Sequence, residues 1–151
     1  MTISNRLRVR LQTESSDSLK LLRDIRNNPV CSVIFDESVP CILVLWRNYA
    51  TSTQFRFVHE NVLYLLRKHG LDKILGDDTD LPTIHNEDQA WLVDDWMPRA
   101  IASGLRATAN KRPSAHFGKI SVSNVQACLP PLLITRSFDN IEEARAWLRD
   151  A

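Results

Sequence analysis

The spacing of apolar residues along the chain predicts strands and helices in alternation. Two apolar runs, Val30–Phe35 and Cys41–Trp46, flank a five-residue loop and indicate an antiparallel hairpin. The second run is apolar at nearly every position, which is typical of a strand covered on both faces, so we expect it at the centre of the sheet. Three further stretches, Leu71–Leu75, Leu105–Ala109 and Leu132–Phe138, predict three more strands.

Four segments carry apolar residues at helical spacing, and their ends carry stop or start signals. Thr51 and Gln54 form a capping-box pattern, and Gly70 is placed to end that first helix in the left-handed conformation. Pro98 lies inside the second helix and predicts a kink, because proline lacks the N–H that the helix needs. The four helical segments are 51–70, 86–103, 117–126 and 140–148.

Together these elements predict an α/β fold with a mixed sheet of about five strands and about four packed helices. The N-terminal hairpin is followed by mostly parallel strands, because a helix separates each later pair. A chain of 151 residues with 44% apolar and 25% charged residues has the composition of one globular domain that needs no disulfide or metal for its stability.

Residues 1–29 form a basic N-terminal extension to a domain that spans residues 30–151. Six basic and three acidic residues lie in the first 28 positions. Arg6–Leu11 alternates with period two and predicts an edge strand whose arginines discourage further pairing. Leu19 to Ile25 fits a short helix that Pro29 closes.

Composition and charge exclude several classes of function. A net charge of +1 gives no general attraction to nucleic acid, and the longest apolar run, six residues, is too short for a membrane span. The absence of a signal-peptide pattern predicts a cytoplasmic location, where Cys31, Cys41 and Cys128 are expected to be reduced and buried. We find no metal-ligand cluster, no cofactor-binding motif and no nucleophile–base pair, and we read His59 and His69 as surface residues.

Two polar loops are the best candidates for a functional surface. Loops that follow the carboxyl ends of parallel strands line the crevice where open α/β sheets bind ligands. The loop from Asp77 to His85 is acidic and the loop from Asn110 to Pro113 is basic, so we expect them to face one cleft. The candidate surface comprises Asp77, Asp78, Asp80, His85, Trp91, Lys111 and Arg112. A surface salt-bridge set without function is the alternative interpretation.

Residues 30–150 resemble the SpoIIAA-like group of bacterial STAS-type domains. The matching stretches, in order, are Val44–Tyr49 with Thr51–Phe55, Asp77–Thr79, Glu87–Leu92, Trp96–Ala100, Gly104–Leu105 and Ser137–Leu148. The resemblance implies a small α/β domain without catalytic machinery, which acts as a regulatory protein-binding module. Its partner is then an unidentified protein, or a second copy of the chain in a homodimer.

The resemblance also implies a candidate phosphorylation site. In sigma-factor antagonists of the STAS family, a Ser or Thr after a central strand is phosphorylated, and Thr79 is its counterpart by position. Here Leu81–Ile84 follows, where the antagonists have small residues and glycine that open a helix.

Two other functions remain open at this stage. STAS-like domains are structurally similar to the CRAL-TRIO lipid-binding class, and the tryptophans could line a pocket for a small apolar ligand; Trp91 lies beside the main apolar stripe of its helix. A metal-dependent phosphate-handling hydrolase is the more distant alternative, since Asp77, Asp78 and Asp80 offer the oxygen ligands that Mg²⁺ and Ca²⁺ prefer. Turn-forming, solvated aspartates explain the same acidic loop without a metal.

Overall fold

One seven-stranded sheet organises the part of the chain that the computed structural model describes, which is residues 10–13 and 19–151, with side chains from residue 21 onward. The strands lie side by side in chain order, antiparallel from β1 to β4 and parallel from β4 to β7. The predicted mixed sheet is confirmed. The strands are β1 (Arg10–Thr13), β2 (Leu19–Arg23), β3 (Pro29–Asp36), β4 (Cys41–Trp46), β5 (Lys73–Asp77), β6 (Ala107–Lys111) and β7 (Ile134–Phe138).

Four helical segments pack on this sheet, as the sequence predicted. The capping box of α1 is confirmed: Thr51 Oγ1 accepts from the Gln54 N–H, and Gln54 Oε1 accepts from the Thr51 N–H. Gly70 ends α1 in the left-handed conformation with φ of 61°. The helices are α1 (Ser52–His69), α2 (86–102), α3 (His116–Ala127) and α4 (Ile141–Asp150). None of those that the structure describes is both long and apolar enough to span a bilayer.

The interruption predicted at Pro98 takes the form of a π-helical turn. Within α2, an α-helical segment (Asn86–Trp91) passes into the π turn (Leu92–Trp96) and then into a second α-helical segment (Met97–Ala102). The Met97 N–H donates to the Leu92 carbonyl. Pro98 therefore lies in the first turn of the second α-helical segment, where a missing N–H costs least.

The short helix predicted over Leu19 to Ile25 is wrong, because this segment contains strand β2. Leu19 pairs with Ile34, and Leu21 pairs with Ser32 of β3. An apolar run this short fits the period of a helix or that of a strand, and pairing with the edge of β3 stabilises the strand. The predicted edge strand overlaps β1 at residues 10 and 11, and its residues 6–9 lie outside the described residues.

The sheet is covered on both faces. Helices α1, α2 and α3 supply the larger apolar core on one face, whereas α4 packs on the other through Ala144 and Leu148. Adjacent residues of β4, Cys41 and Ile42, are both fully buried, which confirms β4 as a central strand.

The cysteines are free, and two of the three are buried as predicted. Cys31 and Cys41 lie in the sheet, whereas Cys128 is exposed, so the expectation for Cys128 is wrong. Cys128 is the C-terminal cap residue of α3 and is exposed to solvent there.

Candidate functional site

A cavity of about 140 Å³ lies between the parallel strands and helices α1, α2 and α3. Its wall is mostly apolar and aromatic, and polar side chains line one region of it. The apolar and aromatic lining residues include Val44, Trp46, Phe55, Val62, Ile74, Leu81, Ile84, Leu92, Trp96, Met97, Val122, Val125 and Leu129. Such a concave, largely apolar space with a few polar groups is the usual form of a small-molecule site.

The floor of the cavity contains residues with little bulk. Gly76 of β5 lines the cavity beside Thr108 and Asn110 of β6. A Cβ atom on Gly76 would lie 3.2 Å from Asp78 Oδ1 and 3.5 Å from the Asn110 Cβ, so glycine at this position leaves room for the Asp78 carboxyl.

A hydrogen-bonded network of four side chains lies at the cavity, and three of them, Asp78, Asn110 and Gln126, line its wall. Asn110 Nδ2 donates to Asp78 Oδ2 at 2.9 Å. Asn110 Oδ1 accepts from Ser137 Oγ at 2.6 Å and from Gln126 Nε2 at 3.2 Å. Gln126 Nε2 also donates to Ser137 Oγ at 2.7 Å. These bonds fix the Asn110 amide so that its N–H group points to Asp78.

Asp78 is the charged end of this network. Its side chain is buried, with the whole residue only 8% exposed. Burial raises the pKa of Asp78 to about 7, with Asp77 adding to the rise and the Asn110 hydrogen bond opposing it. Among the described residues, no basic side chain forms an ion pair with Asp78, and no group donates a hydrogen bond to its Oδ1 atom.

His59 belongs to the aromatic wall of the cavity, so the expectation that it is a surface residue is wrong. Its ring lies 4.3 Å from Phe55, 5.1 Å from Trp96 and 6.0 Å from Trp46, measured between centroids. Burial lowers the pKa of His59 to about 4, against the opposing effect of the Phe55 carbonyl to which its Nδ1–H donates. The ring is therefore neutral at physiological pH.

His69 is also half-buried rather than fully at the surface. Its ring meets Phe35 edge-on at 4.7 Å, and its Nε2 atom is buried without a hydrogen-bond partner in the described part of the chain.

The loop that follows β5 covers the cavity. Its residues Leu81 and Ile84 line the cavity, and the Ile84 N–H donates to Ser121 Oγ of α3. A Cβ atom on Gly118 of α3 would lie 2.4 Å from the Leu81 carbonyl oxygen, which shows how closely helix and loop pack. At the end of the loop, His85 Nε2 and Tyr49 Oη lie 2.7 Å apart.

The acidic and basic loops adjoin, but their charges do not pair with each other. The Asp78 N–H donates to the Lys111 carbonyl, and the Ser114 N–H donates to the Thr79 carbonyl. Arg112 instead pairs with Asp139, at 2.8 Å.

Among the seven residues of the predicted surface, Asp78 alone lines the cavity. Asp77 accepts from the Thr79 hydroxyl at 2.6 Å, and Asp80 is exposed. Trp91 is half-buried, and the Arg56 guanidinium lies over its ring, 5.3 Å from the ring centroid. Within the described residues, no group of three or more His, Cys, Asp and Glu side chains is placed to hold a metal ion.

Sequence reasoning missed Asn110, Gln126 and Ser137 as partners of Asp78. Period two along β6 places Thr108 and Asn110 on one face of the sheet, and this alternation was the available signal for Asn110. The positions of Gln126 and Ser137 depend on how α3 and β7 pack, which no local pattern reveals.

No protein-family model and no curated protein matches this chain. The resemblance to STAS-type domains therefore rests on the matching stretches of sequence and remains an interpretation.

Proposed function

We propose that this protein binds a small, mostly apolar molecule in the cavity between the sheet and helices α1, α2 and α3. The observation that carries the proposal is the cavity itself, with aromatic walls and an ordered polar network. A core of this kind is normally packed without such a space, because unfilled volume costs dispersion contacts.

The volume of the cavity guides the choice of a probe ligand. An apolar protein cavity of about 150 Å³ is large enough to hold benzene. At about 140 Å³, this cavity fits a molecule with one aromatic ring or a short branched aliphatic chain. The role we propose is binding rather than catalysis, in a cytoplasmic protein.

A calorimetric titration with toluene tests this function. We expect the wild type to bind toluene saturably, and Val125→Phe to bind it at least about tenfold more weakly because the new ring fills space that the ligand needs. Ile120→Phe is the matched control, since Ile120 is exposed on the same helix. No toluene binding by the wild type, or equal binding by a folded Val125→Phe variant, would overturn the proposal.

Regulated binding of a protein partner is our second proposal, and exposed apolar residues favour it. Phe117 is 69% exposed and Ile120 is 44% exposed on α3, the helix that packs against the loop carrying Thr79. Phosphorylation of Thr79 would break its bond to Asp77 and add negative charge beside a carboxylate.

We expect Thr79→Glu to loosen the loop from α3, and Thr79→Ser to leave it in place. Amide hydrogen exchange at Ile84 and Ser114 reports this change, because both N–H groups hold the loop. Unchanged exchange in Thr79→Glu, together with no phosphate at Thr79 in protein from its own host, would rule out the switch.

A further inference from the structure

We propose that the ligand of this cavity carries a cationic amine beside its apolar body, and that the carboxylate of Asp78 binds the amine. The inference rests on the proposed function, since it names the chemistry of the ligand that the cavity takes.

The hydrogen bonds of the polar network run in one direction, toward Asp78. Gln126 and Ser137 both donate toward Asn110 Oδ1, and Asn110 in turn donates to Asp78 Oδ2. Every donor of the network therefore points toward Asp78, which ends the chain as an acceptor. A ligand that completes the network of the ionised carboxylate must supply a donor.

One carboxyl oxygen of Asp78 is free among the described residues. The residue is more than nine-tenths buried, it lines the cavity, and Oδ1 lacks a donor within the described part of the molecule. Oδ1 therefore offers an unused acceptor position at the cavity, which a ligand N–H group would fill.

Local charge favours a cation over a neutral donor. Two other shielded acids of the described residues have basic partners: Asp88 pairs with Arg56, and Asp36 pairs with Arg145. Asp78 has none, and Asp77 beside it adds to the negative potential. A cation is thus the missing counter-charge.

The rest of the wall accepts a cation without repulsion. The rings of Trp46, Phe55 and Trp96 line the cavity, and aromatic faces attract cations. His59, the remaining ring, is neutral at physiological pH. An anionic ligand would meet the negative potential of Asp78 with no described basic side chain lining the cavity to offset it.

Three probes and two variants, titrated at pH 8, separate this inference from the proposed function. Toluene tests the apolar body alone, benzylamine adds the cation, and benzyl alcohol adds a neutral donor of the same size. Asp78→Asn removes the charge and keeps the shape, whereas Asp80→Asn removes an exposed charge from the same loop.

We expect Asp78→Asn to weaken benzylamine binding by roughly tenfold to a hundredfold, because a charge-assisted hydrogen bond is lost. Toluene affinity should change less than about threefold, and Asp80→Asn should leave both affinities unaltered. Wild-type protein should also bind benzylamine more tightly than benzyl alcohol, a comparison that needs no variant.

The outcomes distinguish the two claims. If toluene binds and benzylamine gains nothing from Asp78, the amine inference fails and the proposed function stands. If toluene does not bind the wild type, the proposed function itself fails.

Discussion

The carboxyl of Asp78 is placed by its neighbours more than by its own loop. Gly76, two residues earlier, leaves the space it occupies, and Asn110 on the adjacent strand holds one of its oxygens. The sequence identified Asp78 as one of three equivalent acidic candidates. Burial distinguishes it from Asp77 and Asp80, and burial is a property of the packed fold that the local sequence does not encode.

Asp78→Asn should stabilise the protein progressively as pH rises. The pKa of Asp78 is about 7 when folded and 3.8 when exposed, so its folded form holds a proton that the unfolded form has released. The resulting penalty is absent below pH 4, grows as pH rises and levels off above pH 7.

The free energy of unfolding in urea, measured for both proteins at pH 5 and pH 8, checks this sign. The advantage of Asp78→Asn over the wild type should grow by about 2–3 kcal/mol between the two pH values. Asp80→Asn, the control, should show no such trend. An advantage that is constant or shrinks with pH would mean that Asp78 is not buried as described.

At the scale of elements, local signals predicted helices better than strand partners. The start of α1 was readable because Thr51 and Gln54 satisfy the free N–H groups of their own helix. Strand β2 could not be predicted in this way, because its leucines fit a helix or a strand and the outcome depends on pairing with β3. The π turn of α2 ends two residues before Pro98, and the sequence indicated only that the helix is interrupted there.

The contact between α3 and the covering loop gives a prediction at this scale. Gly118→Ala would place a Cβ atom 2.4 Å from the Leu81 carbonyl oxygen, so the backbone of helix or loop must move. We expect a loss of about 1–3 kcal/mol in the free energy of unfolding, although alanine favours a helix more than glycine does.

Ser123→Ala on the exposed side of α3 is the matched control and should leave stability nearly unchanged. Urea unfolding of both variants provides the measurement. A Gly118→Ala variant that is more stable than the wild type would show that the loop carrying Leu81 does not pack closely against α3.

At the scale of the whole molecule, the cavity arises from parts that are distant in the chain. Trp46 is the last residue of the central strand β4, Trp96 is the last residue of the π turn, and Gln126 lies in the last turn of α3, yet all three line one space. The sequence predicted the layers that bring them together, because the period of each element shows which face is apolar. It did not predict the space between the layers, which depends on how completely side chains of different helices fill it.

The charged surface expected from the two loops illustrates the same limit. The loops do adjoin, as the carboxyl ends of neighbouring parallel strands require. The partner of Arg112 is Asp139 after β7, because β7 ends at the same edge of the sheet. Topology was predictable from the sequence, and the pairing of side chains was not.

A titration of uniformly ¹⁵N-labelled protein with toluene, followed by NMR, tests the central claim most directly. We expect saturable shifts concentrated at the lining residues, including the indole N–H of Trp96, which donates to the His59 carbonyl beside the cavity. Ile25 and Leu132, exposed and absent from the lining, should not shift. No saturable shift up to the solubility limit of toluene, or shifts confined to residues outside the cavity, would contradict the account.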